Sequence, residues 1–430
     1  MGINAFRYMS VAILVLSGLR TAQAQDYANC AHELRKAKDE MAQMLTGGRP
    51  DYIKAGKILE PLVSVDPGNA EAWYYFGYAI DEYNMGSSEE MLNASLPLAM
   101  RASDAFQNCI ELSGGIYRGE RLLFDPHTKI LTIWGNQALR YFNKGDKDSA
   151  YWCLNQAAIR GGINQSVLGY FKQVMQECGQ NAYLFTNGDM YVYYLTYLQT
   201  VQKFRPDINC VDLNFLQTSW AIPLYRKMNV FSDSMALVLQ KDGCNLVNDS
   251  AVVLNDNLDA IGGDPVIRWK VSSPASMSKG DRAFLNLLQK NQFRKDVFLA
   301  ADVPSDMRLG LNVDNYLQLR GLTFKMVSDT SSSNLNFLES RLSRLNPIPM
   351  DDSSFRDNPD NIQVLNNYRF AYTAAAVMSS AKGDLKLALD LIDLSLRKYP
   401  ENTLPFYAAQ TKDWFYSLKS QAEKGEPLKW

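Results

Sequence analysis

The sequence has 430 residues, enough for two or three domains, and 47% of them are hydrophobic, enough for substantial cores. The formal net charge of −2 gives no broad electrostatic pull toward nucleic acid. Only two histidines occur, so a histidine metal site or a Ser-His-Asp triad has little to be built from.

At the start, Arg7 precedes an apolar run from Tyr8 to Leu19, and Ala22-Gln23-Ala24 places small residues where signal peptidase cuts. This predicts a secretory signal over 1–24 with cleavage before Gln25. The run is about a dozen residues, short of the roughly 20 that cross a bilayer. No lipobox precedes Cys30, so no lipid anchor is expected. The mature chain is expected to be periplasmic or secreted, with no stable membrane insertion. Six cysteines (Cys30, Cys109, Cys153, Cys178, Cys210 and Cys244) are even in number, but widely spaced and without a CxxC. Disulfides and buried free thiols both fit them.

From 25 to 177 small and large apolar residues recur at fixed spacings. Ala55, Leu59 and Leu62 are followed by Pro67; Trp73, Phe76, Gly77 and Ile80 open the next helix. After an insertion around Gly86-Ser87-Ser88 the pattern resumes with Ala102, Phe106 and Cys109. It continues through Trp134, Ala138, Tyr141, Gly145, Ala150, Leu154 and Ala157. Over 329–430, Tyr372, Ala376, Gly383, Ala388, Ile392 and Pro400 keep the same spacings, and Leu404 to Leu418 predicts a closing helix with Phe406 in it. Small residues let two helices approach closely, and large ones fill the gaps between pairs. These frames resemble the tetratricopeptide repeat family. That resemblance implies that Ala55, Trp73, Gly77, Trp134, Ala138, Ala150, Ala376, Ala388 and Pro400 are packing residues.

Between 178 and 328 the texture changes. Ala182 to Thr186 predicts a strand, Tyr191 to Phe204 an aromatic-rich helix, and Ile208 to Leu213 a second strand, parallel to the first across the helix. Val266 to Val271 alternates like a strand, Lys279 to Lys290 predicts a helix, and Val297 to Ala300 another strand. Val313 to Leu319 predicts a helix and Leu322 to Val327 a last strand. The expected fold class is mixed: helical repeats flanking a central α/β domain with a mainly parallel sheet.

Three segments of this middle carry a second resemblance: Phe185-Thr186-Asn187-Gly188-Asp189; Phe204-Arg205-Pro206-Asp207 with Asp212-Leu213-Asn214-Phe215-Leu216; and Tyr316-Leu317-Gln318-Leu319-Arg320-Gly321-Leu322. They resemble the soluble C-terminal region of bacterial GT-C-type membrane glycosyltransferases related to a vertebrate transmembrane protein O-mannosyltransferase. The sequence departs from that pattern at Met190-Tyr191, Thr218-Ser219-Trp220 and Lys295-Asp296, where charged positions have changed while the apolar frame persists. No segment corresponds to the family's membrane portion, where its catalysis is expected. The resemblance implies a fold and a compartment rather than transferase activity.

Candidate ligand-binding residues are Asn187, Asp189 and Asp212, because ligands of parallel sheets collect at the carboxyl ends of strands. Asp189 also suits a helix N-cap, with its carboxylate accepting backbone N–H bonds. An enzymatic reading needs a second titratable group facing Asp189, with Asp212 and Asp264 as the candidates. Asn255-Asp256-Asn257-Leu258-Asp259 with Gly262-Gly263-Asp264 lacks the glutamate that completes a calcium loop and reads as a polar surface loop. Tyr191, Tyr193, Tyr194 and Tyr197 spread too broadly around one helix for a sugar-stacking stripe and read as core. Asp148-Ser149-Ala150, Asp233-Ser234-Met235 and Asp249-Ser250-Ala251 match the short O-glycosylation signal of exported Bacteroidetes proteins; Ser234 and Ser250 are better placed than Ser149, whose neighbour Ala150 is a packing position.

The expectation for function is an exported, non-catalytic interaction or scaffold protein that binds a protein or peptide partner through its repeats. The alternatives are an accessory or carbohydrate-binding component of an extracytoplasmic glycosylation system, and an enzyme with a site near Asp189. No catalytic residue, metal, cofactor or nucleic-acid partner is expected.

Overall fold

The computed structural model describes residues 29–240, 251–254, 267–270, 277–301, 303, 313–327, 335–345 and 356–429. The predicted signal segment, the stretch from Asn255 to Asp264, Cys244 and Ser250 lie outside these residues. The chain divides into two compact units: Met1–Gly86 with Asn93–Lys129, and Ser87–Leu92 with Ile130–Trp430.

In the first unit, helices α1 (29–42), α2 (Tyr52–Val65), α3 (Ala70–Met85) and α4 (Leu96–Leu112) are followed by the first turn of α5 (Pro126–Lys144). Asp51 and Asn69 start α2 and α3, each side chain accepting an N–H from the first turn. Ala55 and Ala102 are fully buried, and a Cβ at Gly77 would lie 3.1 Å from Phe106, so α3 and α4 meet through the small residues the pattern singled out. Trp73 is half-buried, its indole N–H donating to the Pro67 carbonyl at 2.9 Å. The buried ammonium of Lys129 meets the carboxylates of Asp81 and Glu82 and lies 4.3 Å from the Tyr78 ring centroid. A lysine is buried here because two acids and an aromatic face replace its water.

The second unit continues α5 and adds α6 (Lys147–Ile159) and α7 (Gln165–Glu177). Strand β1 (Tyr183–Thr186) then leads through α8 (Asp189–Thr200) to β2 (Asn209–Asp212). Short helices α9 (Ala221–Lys227) and α10 (Asp233–Leu239) precede β3 (Ala251–Leu254) and β4 (Ile267–Lys270). After α11 (Lys279–Asn291) come β5 (Val297–Ala300), β6 (Leu317–Leu319) and β7 (Thr323–Met326). The chain closes with α12 (Leu335–Ser343), α13 (Pro359–Leu365), α14 (Asn367–Ala381), α15 (Leu385–Lys398) and α16 (Ala409–Glu423).

The five-stranded sheet runs β2-β1-β5-β7-β6. β1 pairs parallel with β2 and with β5, whereas β7 pairs antiparallel with β5 and with β6. The sheet is therefore mixed, not mainly parallel. The β6–β7 pairing is antiparallel because only Arg320-Gly321-Leu322 connects the two strands, and parallel neighbours need a crossover of a dozen or more residues. Val313 to Leu319 is not a helix: Asp314–Tyr316 makes one 3-10 turn and Leu317 onward is strand. β3 and β4 form a separate antiparallel pair.

β1 and β5 are buried along their length, which suits central strands. Phe185 meets Phe284 of α11 edge-to-face at 4.7 Å. Tyr193 of α8 rests against Gly135 of α5, where a Cβ would come within 2.3 Å of its ring. Trp134, Ala138, Ala150, Ala376 and Ala388 are fully buried. Pro400 is half-buried just past the end of α15, and its carbonyl accepts the Leu404 N–H. The closing helix starts at Ala409 rather than Leu404, because Pro405 disfavours helix at the residue before it. Phe406 lies in that approach segment, against Phe415 and under the Arg369 guanidinium.

Among the described residues no helix is long and apolar enough to cross a membrane. Cys30, Cys109, Cys153, Cys178 and Cys210 are free thiols.

Candidate functional site

β1 has β2 on one side and β5 on the other, and the chain leaves β1 toward β2 through α8. The carboxyl end of β1 is thus where connections diverge, the usual place for a ligand crevice in such sheets. Asn187, Gly188 and Asp189 follow that end, and Asp212 ends β2 directly opposite Thr186. The sequence-predicted residues are therefore brought together.

Asp212 is 1% exposed. Its Oδ2 accepts the Gly188 N–H at 2.7 Å and the Thr186 hydroxyl at 3.2 Å. Its Oδ1 accepts the N–H groups of Asn214 at 2.9 Å and Phe215 at 3.1 Å. Its own N–H donates to the Tyr225 hydroxyl at 2.8 Å. Only a carboxylate offers enough acceptor sites to satisfy four donors in so small a volume. Asp212 stands at the turn, the placement an acid–base reading calls for, but both its oxygens are engaged in holding that turn to β2.

Asn187 is half-buried. Gly188 has φ +128°, a conformation that L side chains rarely adopt, and nothing lies within 4 Å of where its Cβ would be. Gly188 therefore takes the N-cap position of α8, and Asp189 is the first residue inside the helix. The expected cap is displaced by one residue: the turn needs the glycine at the boundary, and Asp212 takes up the Gly188 N–H from across the strand pair. The Asp189 side chain lies outside what is described. Among the described residues, no three His, Cys, Asp or Glu side chains stand where they could hold a metal ion.

The other two resemblance segments also carry polar knots, one half-buried at Arg205 and one buried at Glu177. Arg205, at φ +44°, forks onto Asp207 with both contacts at 2.8 Å. Its remaining donors reach the carbonyls of Met175, Cys178 and Gly179 at the end of α7. The Arg205 guanidinium, with the Asn181 N–H, pushes the Asp207 carboxyl down to about 2. At the β6–β7 turn, Glu177 accepts the Leu322 N–H at 2.9 Å and the Thr323 hydroxyl at 2.8 Å. Burial pushes the Glu177 carboxyl up to about 7, even against those donors. Gly321, at φ +133°, leaves room for it; a Cβ there would sit 2.2 Å from Glu177 Oε1. Sequence reasoning missed Glu177, which lies beside Cys178 at the end of an amphipathic helix and gives no signal of a distant partner.

Three of the four clustered tyrosines are core, and Tyr197 is half-buried. Tyr191, Tyr193 and Tyr194 are buried, and Tyr194 stacks on Phe171 at 5.1 Å. Their hydroxyls are used internally: Tyr194 accepts the Asn164 N–H, Tyr193 donates to Asn136, and Tyr191 accepts from the Asn367 amide.

None of the curated proteins matches this sequence. Residues 168–259 match the family model described as TMEM260-associated domain 2, a stretch that takes in most of α7, the β1–α8–β2 unit with its Asp212 knot, α9, α10 and β3.

Proposed function

We propose that this chain is a non-catalytic interaction protein acting outside the cytoplasm, and that its tetratricopeptide-like helix pairs hold a protein or peptide partner. The observation that carries this reading is the engagement of Asp212. The one described carboxylate at the strand-end turn is committed to four internal hydrogen bonds, while small residues at the predicted positions let helices pack as close pairs. Stacked pairs of this kind present extended surfaces to a partner. Native co-purification of the full chain from an exporting host, with chemical cross-linking, tests it. The expected result is a stoichiometric protein partner cross-linked to helical segments. Recovery of the chain alone, with turnover of a small molecule by the purified protein, would overturn it.

A second reading has the match over 168–259 in its favour. The chain then serves as an accessory or carbohydrate-binding component of an extracytoplasmic glycosylation system. In that case the cross-linked partner is a membrane glycosyltransferase or its glycan product, and an unrelated partner contradicts this version.

A further inference from the structure

We infer that Ser234 is a glycosylated position, carrying an O-linked sugar added after export. The structure separates the three Asp-Ser tripeptides. Ser149 belongs to the start of α6: its hydroxyl donates to Asp146 Oδ2 at 2.6 Å, its N–H donates to Asp146 Oδ1 at 3.0 Å, and the next residue, Ala150, is fully buried. A sugar on that oxygen would remove the hydroxyl proton from the cap and crowd a packed helix start. Ser250 lies outside the described residues. Ser234 also opens a helix, and the next residue, Met235, is buried, but it differs from Ser149 in being exposed and in that its hydroxyl meets another hydroxyl rather than a carboxylate. Ser232, Asp233 and Ser234 are all exposed, and the Asp233 side chain is 76% exposed while paired with Arg226. The Ser234 hydroxyl lies on the surface, 3.2 Å from the hydroxyl of Ser232, whose oxygen caps α10 by accepting the Met235 N–H at 3.3 Å. Beneath it, Met235, Ala236 and Leu239 are buried and fix α10 in place. The acceptor oxygen is thus presented outward from an anchored element, where a bulky solvated group meets no packing.

In the chemistry this requires, the Ser234 oxygen attacks the anomeric carbon of an activated sugar donor, of the lipid- or nucleotide-diphosphate class, on a separate transferase. The new carbon–oxygen bond forms as the bond to the diphosphate oxygen breaks. The hydroxyl proton passes to a base on the transferase, the diphosphate leaves, and nothing is oxidised or reduced.

The inference rests on the export proposed above, and one preparation tests both. The full-length gene is expressed in an exporting host that glycosylates its envelope proteins, and the purified chain is measured by intact mass and peptide mapping. The expected result is an N-terminal peptide beginning at Gln25 and a sugar mass on the peptide containing Ser234. That mass is lost in Ser234→Ala, and kept in Ser234→Thr and Ser149→Ala. A chain beginning at Gln25 whose Ser234 peptide is fully recovered without sugar overturns the glycosylation and leaves export standing. A chain that retains Met1 and is unmodified overturns both.

Discussion

Asp212 and Glu177 are both buried carboxylates, yet their surroundings set them different tasks. Asp212 meets four donors, so Asp212→Asn turns an amide N–H₂ toward groups that themselves donate. The expected loss is roughly 1.5–3 kcal/mol, the worth of a charge-assisted hydrogen bond, read from urea melts of variant and wild type. A melt unchanged by that substitution would mean the knot does not hold the turn. Glu177 titrates instead. Its pKa rises from the ordinary 4.5 to about 7 because burial penalises the charge. The native state therefore holds this proton more tightly than the unfolded chain, and the stability it contributes is fully present below pH 4.5. That contribution falls as the pH rises to about 7 and is then flat, a change on the order of a few kcal/mol. Glu177→Gln should flatten this part of the pH–stability curve; an identical slope in variant and wild type would contradict the assignment. Neither role was legible in the sequence. Asp212 stood out only as a strand-end acid, and Glu177 not at all, because its partners Leu322 and Thr323 lie some 145 residues away along the chain.

Elements were more legible than residues. Helices declared themselves by apolar spacing; their caps, such as Asp51, Asn69 and Asp146, whose side chains accept first-turn N–H groups, emerge only in the structure. The strands β1, β2 and β5 were readable as short apolar runs between turn residues. β6 was not, since three residues with one polar member give no periodicity, and only pairing with Thr323–Met326 makes them a strand. Close approaches between elements rest on small residues. Gly135→Ala would place a methyl group within 2.3 Å of the Tyr193 ring. Ala150→Leu and Ala388→Leu overfill sites with no exposed surface. Each should cost about 1–3 kcal/mol in a thermal or urea melt. Unchanged stability of all three would argue against these contacts.

On the scale of the whole molecule, the expected mixed class holds, but the balance within the sheet does not. Half of its strand pairings are antiparallel: β7 with β5, and β7 with β6, between which the sequence places only three residues. The three segments that resemble a membrane glycosyltransferase's soluble region all take part in polar knots: the buried ones of Asp212 with Gly188 and of Glu177 with the turn at Gly321, and the half-buried one of Arg205 with Asp207. What that resemblance tracks is thus the framework, while the chemistry of the strand-end turn has to be tested at Asp189, the acid beside it. Comparing the Asp189→Asn chain with wild type, for melting temperature and for capture of its partner from an exporting host, bears most directly on this account. Asn keeps the size and an acceptor oxygen but cannot exchange a proton. The account predicts an unchanged melt and undiminished partner capture; a variant that folds normally but no longer functions or captures its partner would make the turn a charged ligand site or an active site.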